Sequence, residues 1–216
     1  MNIRKTVLTA LFASLIIVGA YIRFPLPPVP ITLQTLFVIT ASLLGGTAIG
    51  IRSVAIYLLL GAVGLPVFTA GGGLGILLGP TGGFLFGLLP AALLAGWAGN
   101  YARKEKIEKK NTIADRSIES PKDTPTQDST VTQKGKREKK TYLFLCILFG
   151  TLATLAIYAV GVPFLKYNRS LSWKVAIQVG MLPFLIGDTI KLIVAVQLAQ
   201  MFSPRIKEFL NGSSSS

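Results

Sequence analysis

Two ionisable side chains, Asp188 and Lys191, lie in the apolar run Leu-Ile-Gly-Asp-Thr-Ile-Lys of residues 185–191. Residues i and i+3 of a helix share a face, so this carboxylate and this ammonium can neutralise each other. The pair suits polar recognition, because a carboxylate accepts N–H donors and an ammonium donates to a carbonyl. The spacing predicts a binding site that faces a cavity. The alternative is an ion pair that only ties one helix to its neighbours.

A glycine-rich segment, residues 64–83, is the second feature suited to ligand contact. It carries no charge and lacks the Gly-Lys-Ser/Thr ending of a phosphate-binding loop, which disfavours phosphate binding. Its apolar residues lie between glycines, which allow close approach of the backbone. This pattern favours a lid over a ligand, with a plain external connector as the alternative. Within 69–78, Thr69 is the one polar side chain.

The first apolar segment contains small residues four positions apart. Thr9 and Ala13 form one such pair, and Ala10 and Ser14 form another. Small residues at this spacing permit two helices to approach closely in lipid. The pattern fits internal packing and the docking of a partner subunit equally well.

Gln34 is a further polar candidate, because it follows a proline-rich segment, residues 24–30. Proline removes backbone donors and pushes the residue before it into extended geometry, so this segment cannot be helical throughout. We expect Gln34 to line a pocket on the outer side. The aromatic residues of the apolar segments, Tyr158 among them, are interpreted as packing or interface anchors.

The composition excludes several kinds of chemistry. The chain has no histidine and one cysteine, Cys146, which excludes Ser-His and Cys-His nucleophilic sites, histidine-ligated metals and internal disulfides. Asp188 is the one acid of the apolar part, which leaves little acid–base machinery for an enzyme. We therefore expect no enzymatic activity, no metal and no cofactor. The net charge of +13 is interpreted as loop charge that orients the chain in a bilayer, and not as a nucleic-acid surface.

The elements that position these residues are predicted to be membrane helices. Of the 216 residues, 14% are charged and 51% are hydrophobic, whereas soluble domains have about a quarter charged residues. A spanning helix needs about 20 mainly apolar residues. The sequence thus predicts an all-α integral membrane bundle with six spans, and proline breaks are expected at Pro163 and Pro183. The spans are 6–21, 31–49, 53–68, 81–102, 142–165 and 173–202.

Residues 103–140 differ in kind from the spans around them, since they hold seven of the nine acidic residues and twelve of the 22 basic ones. Such a composition cannot bury enough surface to offset the entropy of ordering. We expect a mostly disordered loop, with the fourth helix continuing into it by one or two turns. A solvated linker is favoured over a partner-docking segment. The chain then divides into 1–102 (helices one to four, with the external loop 66–80), 103–140, 141–204 (helices five and six) and a flexible tail, 205–216.

The distribution of Lys and Arg predicts the orientation. With the N-terminus inside, seventeen of the 22 basic residues fall in cytoplasmic segments and four fall in external loops. Cytoplasmic loops of membrane proteins carry the excess of basic residues. We therefore expect a multi-pass protein of the cell inner (plasma) membrane with both termini in the cytoplasm, in contact with membrane lipid.

Four ordered motifs carry a family resemblance: RFPLPPVPITLQT at 23–35, GLPVF at 64–68, LLGPTGG at 77–83 and PFLIGDTIK at 183–191. Together they resemble the BioY family, the biotin-binding S components of energy-coupling factor (ECF) transporters. The resemblance covers nearly all of the chain outside 103–140. That charged segment is not a usual feature of the family.

The resemblance implies a six-helix bundle of the ECF S-component type, with a high-affinity biotin pocket near the external surface. Asp188 and Lys191 match the family's Gly-Asp-x-x-Lys motif, which holds the ureido head of biotin. The loop between helices three and four covers the ligand, and four lid residues suit its apolar ring and chain: Phe68, Leu74, Ile76 and Leu77. The resemblance further implies that the small-residue face of helix one, with Ala10, Ala13 and Ser14, meets a transmembrane T component.

The function implied is capture of biotin by a membrane subunit of a vitamin-uptake transporter. The chain has no nucleotide-binding motif, so ATP hydrolysis is expected from separate ATPase subunits that act with the T component. Two alternatives stay open. One is an S component for another vitamin, such as lipoate or a thiamine precursor. The other is a structural membrane protein with no transport function, in which the Asp188–Lys191 pair only ties helices together.

Overall fold

The computed structural model describes residues 3–119 and 129–211, with side chains for 3–101, 140–206 and 208–210. Two short strands pair in antiparallel fashion between the first two helices, with Arg23 opposite Thr32. Residues 120–128 of the charged segment and 212–216 of the tail lie outside the described part. The helices and strands are α1 Ile3–Tyr21, β1 Arg23–Phe24, β2 Ile31–Thr32, α2 Gln34–Ala62, α3 Leu74–Leu77, α4 Gly82–Glu119, α5 Ser129–Arg169, α6 Trp173–Gly180 and α7 Phe184–Asn211.

Helix α2 is two antiparallel arms joined at Gly46. The backbone of Gly46 has φ 74° and ψ 179°, which is not helical and which glycine adopts without steric cost. A Cβ placed on Gly50 would lie 3.0 Å from the Cα of Ser42, whereas residues eight apart in a straight helix are about 12 Å apart along the axis. The chain therefore reverses at Gly46, and the arms are residues 34–45 and 47–62.

The predicted six-helix membrane bundle is confirmed once this reversal is counted. In the described part of the chain, five helices are long and apolar enough to cross a membrane, and α2 is one of them. Its two arms supply the second and third of the six predicted segments. Both arms are short, because the reversal falls at Gly46 and the helix already ends at Ala62, ahead of the predicted end at residue 68.

The two expected proline breaks have different outcomes. The chain leaves the helix at residues 181–183, so the break at Pro183 is confirmed, and the predicted sixth span is divided into α6 and α7. The prediction of a break at Pro163 is wrong, because α5 continues through this residue to Arg169. Membrane helices tolerate proline where neighbouring groups satisfy the freed backbone.

The backbone on both sides of the undescribed residues 120–128 is helical. Helix α4 continues to Glu119, and α5 begins at Ser129. This helical extent is greater than the one or two turns expected beyond the fourth span. Helix α7 likewise continues to Asn211, into the segment expected to be a tail.

The bundle has two distinct ends. One end, called the loop end here, carries the hairpin β1–β2, residues 63–81 and residues 170–172. At the opposite end, Arg4 Nη1 donates to the carbonyl of Phe209 at 3.3 Å, which brings the two ends of the described chain together. The two ends of the described chain thus lie at the same end of the bundle.

Helices α2 and α4 form the centre of the bundle. In the most apolar stretch of each helix, 56% of α2 and 61% of α4 is buried, whereas the figure is 28% for both α5 and α7. The main cluster of buried side chains draws on α1, α2, α4, α5 and α7. A smaller cluster at the loop end joins Val29, Tyr158, Val162, Leu165, Ala176 and Phe184. Helices α5 and α7 thus face the membrane while their inner faces close the loop end of the bundle.

The reversal at Gly46 packs against α4 through glycine. A Cβ on Gly96 would lie 2.4 Å from the Cα of Thr47 and 2.5 Å from its nitrogen. Asn100 Nδ2 donates to Thr47 Oγ1 at 2.8 Å on the same side of α4. The close approach of these two backbones therefore depends on the missing side chain at position 96.

We expect Gly96→Ala to lower the free energy of unfolding by about 1–3 kcal/mol, the usual cost of overpacking. Gly187→Ala is the matched control, because a Cβ at this helical glycine meets nothing within 4 Å and alanine raises helix propensity. Unfolding of both variants in detergent micelles measures the difference. Equal stability of the two variants would contradict the packing of the α2 reversal against α4.

Candidate functional site

Asp188 and Lys191 form a salt bridge inside the bundle, with Lys191 Nζ 2.9 Å from Asp188 Oδ1 and side-chain exposures of 9% for Lys191 and 12% for Asp188. Lys191 Nζ also lies 3.4 Å from Thr35 Oγ1, to which it donates. The hydroxyl of Tyr158 donates to Asp188 Oδ2. The pair thus joins three helices, because Thr35 lies on α2, Tyr158 on α5 and the pair itself on α7.

The break before α7 sets the position of the pair. Helix α7 begins at Phe184, directly after Pro183, so Asp188 and Lys191 lie in its first two turns, at the loop end. Thr35 is the second residue of α2 and is therefore at the same end. The i, i+3 spacing that predicted a shared face is confirmed by the salt bridge.

A cavity of about 80 Å³ lies beside the pair at the loop end. Its polar lining comes from the hairpin, from Thr69 and Thr81 of the 63–81 loop, and from α2, α5 and α7. Its apolar lining comes mainly from α4, from Ile157 of α5 and from Phe184. The lining residues are Val29, Pro30, Thr32, Gln34, Thr35, Thr69, Thr81, Phe84, Leu85, Leu88, Ile157, Tyr158, Phe184, Asp188 and Lys191.

Four of the predicted site residues line this cavity together: Gln34, Thr69, Asp188 and Lys191. The four predicted apolar lid residues lie outside its lining. Phe68 is buried and packs edge-on against Tyr57, with ring centroids 5.3 Å apart. Leu77 belongs to the main core, Ile76 is half-buried, and Leu74 is 63% exposed. The apolar surface next to the pair is supplied instead by α4, α5 and Phe184.

Tyr158 is a site residue that the sequence interpretation missed, because the aromatic residues were assigned to packing. Its ring does pack in the loop-end cluster, but its hydroxyl donates to Asp188 and its side chain lines the cavity. Tyr158 and Asp188 are 30 positions apart on different helices. No spacing rule within one helix connects them, so the sequence carried no signal for this contact.

Side chains from neighbouring elements hold the 63–81 loop over the cavity. The hydroxyl of Tyr21 donates to the carbonyl of Pro66, and Arg23 Nη1 donates to that of Thr69. Asn168 Nδ2 donates to the carbonyl of Leu78 at 2.7 Å. Because Thr69 also lines the cavity, the loop is a wall of the cavity and not only a connector.

A groove of about 540 Å³ runs between α5 and α7 and shares Tyr158 and Asp188 with the cavity. The hydrogen bond between these two side chains therefore forms part of the wall that separates the cavity from the groove. The lining of the groove combines polar and apolar side chains, with Thr151, Gln197 and Gln200 among the polar ones.

The small residues of α1 divide between two faces. Ala13 is 3% exposed and packs inside the bundle, on the same side as Thr9, whose carbonyl accepts from Ser53 Oγ at 3.0 Å. Ala10 and Ser14 are exposed. Internal packing is thus confirmed for the face of Ala13, and docking of a partner stays a prediction for the exposed face of Ala10 and Ser14.

The fold and the site define the class: an all-α, multi-pass membrane protein with a small cavity at one end, lined by an ion pair and bordered by a loop. The chain belongs to the BioY family, whose sequence profile matches residues 1–208. It is 34% identical to the biotin transporter BioY of Thermotoga maritima over 91% of this chain and 94% of the relative. It is 35% identical to a probable biotin transporter BioY of Lysinibacillus sphaericus, over 90% of this chain and 84% of the relative.

A solved structure has the same fold. The crystal structure of an S component for biotin from an ECF-type ABC transporter superposes with a TM-score of 0.68 and 25% sequence identity. The match covers 94% of this chain and 92% of that chain. The predicted fold, a bundle of the ECF S-component type, is confirmed.

We expect Lys191→Met to lower the free energy of unfolding by about 3 kcal/mol, because a buried carboxylate that loses its counter-ion costs about 3–5 kcal/mol. The double variant Asp188→Asn/Lys191→Met should recover much of this loss, since no unpaired charge remains. Chemical unfolding in mixed micelles measures both. The control is Lys174→Met, at an exposed lysine of α6, and a loss of similar size there would contradict the assigned cause.

Proposed function

We propose that this chain is the substrate-capture subunit of a biotin-uptake transporter and that biotin binds in the cavity beside Asp188 and Lys191. The observation that best supports this proposal is the number of hydrogen-bonding positions that the Asp188–Lys191 pair leaves open. An ionised carboxylate has about four acceptor positions and an ammonium has three donors. Among the described residues, Asp188 accepts from Lys191 and Tyr158, and Lys191 donates to Asp188 and Thr35.

Two acceptor positions on Asp188 and one donor on Lys191 thus remain for a ligand. The ureido group of biotin has two N–H donors and one carbonyl acceptor, which matches this count. Gln34, buried at the same cavity, offers both an amide donor and an amide acceptor. The apolar wall of Phe84, Leu85 and Leu88 suits the thioether ring and the aliphatic chain.

Ligand entry in this proposal requires the loop end to open. The cavity of about 80 Å³ is smaller than the ~300–1,000 Å³ typical of small-molecule pockets. The 63–81 loop and the β1–β2 hairpin are the covering elements. The loop is held by side-chain hydrogen bonds, such as that of Asn168 to Leu78, and by the buried Phe68 and Leu77. Opening these contacts admits the ligand, and their closure excludes water from the pair.

The orientation follows from the positive-inside rule. The opposite end of the bundle carries the described termini, and the segments on that side hold seventeen of the 22 basic residues. We therefore place both termini in the cytoplasm and the cavity at the outer face of the cell membrane. Biotin is then captured from outside, which is a binding and transport role and not an enzymatic one.

Energy for uptake is assigned to a T component and ATPase subunits. The chain has no nucleotide-binding motif, and the solved relative is an S component of an ECF-type ABC transporter. The exposed small residues of α1, Ala10 and Ser14, are the proposed contact with the T component, because small residues let two membrane helices approach closely. The proposed contact does not include Ala13, since this residue packs inside the bundle.

We expect Asp188→Asn and Lys191→Met each to weaken biotin binding by about 100-fold, because each removes a charge-assisted hydrogen bond of about 1.5–3 kcal/mol and unbalances the pair. Calorimetry with the purified full chain in detergent measures the affinities. Glu208→Gln is the control, because this exposed acid lies at the opposite end of the bundle.

The same experiment separates the alternatives. Failure of the unchanged protein to bind biotin, together with binding of lipoate or a thiamine precursor, would move the assignment to another vitamin. Binding of none of these would leave the pair with a structural role. Biotin binding of unchanged affinity in both variants would show that Asp188 and Lys191 do not contribute to the binding site.

We expect Ser14→Leu to leave biotin binding in detergent unchanged and to abolish co-purification with the T component and ATPase subunits. The reason is steric: a larger side chain on the exposed face of α1 keeps the partner helix away. Val18→Leu, at another exposed position of α1, is the control. Uptake and co-purification at normal levels in Ser14→Leu would exclude this face as the docking surface.

A further inference from the structure

The loop end of the bundle carries unbalanced positive charge. Arg23, Lys166, Arg169 and Lys174 all lie there, and among residues with described side chains this end has no carboxylate besides Asp188. Asp188 is already balanced by Lys191. A ligand that carries a carboxylate thus finds no free counter-charge inside the cavity and must obtain one from the rim.

Arg23 is the cation of the rim that is connected to the cavity through two elements. Its Nη1 donates to the carbonyl of Thr69, and Thr69 lines the cavity. In the hairpin, Arg23 is the cross-strand partner of Thr32, which also lines the cavity. Arg23 is not itself part of the cavity lining, but these two contacts place its exposed guanidinium beside the lining, where the loop and the hairpin meet.

The other three cations lie where α5 ends and α6 begins. Lys166 Nζ lies over two aromatic rings, 4.7 Å from the centroid of Tyr167 and 5.1 Å from that of Trp173. This cation–π arrangement engages the ammonium, and Lys166 does not line the cavity. Arg169 and Lys174 are exposed and do not line the cavity.

We propose that Arg23 binds the carboxylate of the ligand at the mouth of the cavity. This inference rests on the proposed function, because it takes biotin, an anion with a polar head and a carboxylate tail, as the ligand. A guanidinium has five N–H donors in a planar fork, and among the described residues only one contact, that to Thr69, occupies it. Two parallel N–H donors remain to bind a carboxylate.

This contact divides recognition between the two ends of the ligand. Asp188 and Lys191 bind the polar head, and Arg23 binds the charged carboxylate of the tail. Because Arg23 also holds Thr69, binding of the carboxylate strengthens closure of the 63–81 loop over the ligand. The site then favours the ionised carboxylate form of the ligand over neutral derivatives such as its esters.

The test compares biotin with biotin methyl ester, which differs only at the carboxylate, on the purified full chain in detergent. We expect Arg23→Gln to weaken biotin binding by about tenfold and to change ester binding by less than twofold. The preference of the unchanged protein for biotin over the ester should disappear in this variant. Arg23→Lys should restore part of it, since the charge returns without the fork.

Arg169→Gln is the matched control, because it removes the same charge from the same end without contact to the cavity, and it should leave the preference intact. Equal weakening of both ligands in Arg23→Gln would overturn the proposal and assign Arg23 to holding the loop alone. An unchanged affinity for biotin would overturn it as well. Failure of the unchanged protein to bind either ligand would instead refute the proposed function, and this inference with it.

Discussion

A carboxylate inside a membrane bundle is stable only where it is paired and hydrogen-bonded, and Asp188 is held in this way by Lys191 and Tyr158. That requirement determines much of the loop end. Helix α7 must begin close to the loop end so that the pair lies within reach of α2 and α5, and the break at residues 181–183 provides this start. The ion pair therefore organises the packing of three helices as well as the chemistry of the cavity.

The same physics connects the loops to the site. A partly satisfied ion pair exposed to bulk water would bind a neutral polar head group weakly, because water competes for each hydrogen bond. The 63–81 loop and the hairpin cover the pair, and the side chains that hold them act on backbone carbonyls of Pro66, Thr69 and Leu78. Such contacts constrain the path of the loop and leave its sequence free to be glycine-rich and apolar.

Much of the fold follows from the length of the apolar segments and from the positions of prolines and glycines, and it was predictable for that reason. The six apolar segments, the non-helical stretch before Gln34 and the break at Pro183 are all present in the structure. The uninterrupted helix through Pro163 was not predictable, because tolerance of a proline depends on what its neighbours supply. The site was predictable where its members share one helix, as Asp188 and Lys191 do, and not where they come from separate helices.

By itself, the sequence determined the class of protein, the apolar segments that form the bundle and the ion pair, because each is a property of local composition or of spacing along one helix. Only the tertiary structure decided which residues surround the pair. It brought Tyr158 and Thr35 to the pair, and placed the apolar wall on α4 rather than on Phe68 and Leu74. These contacts join residues far apart in the chain, and they exist only after the helices have packed, so no local pattern could specify them.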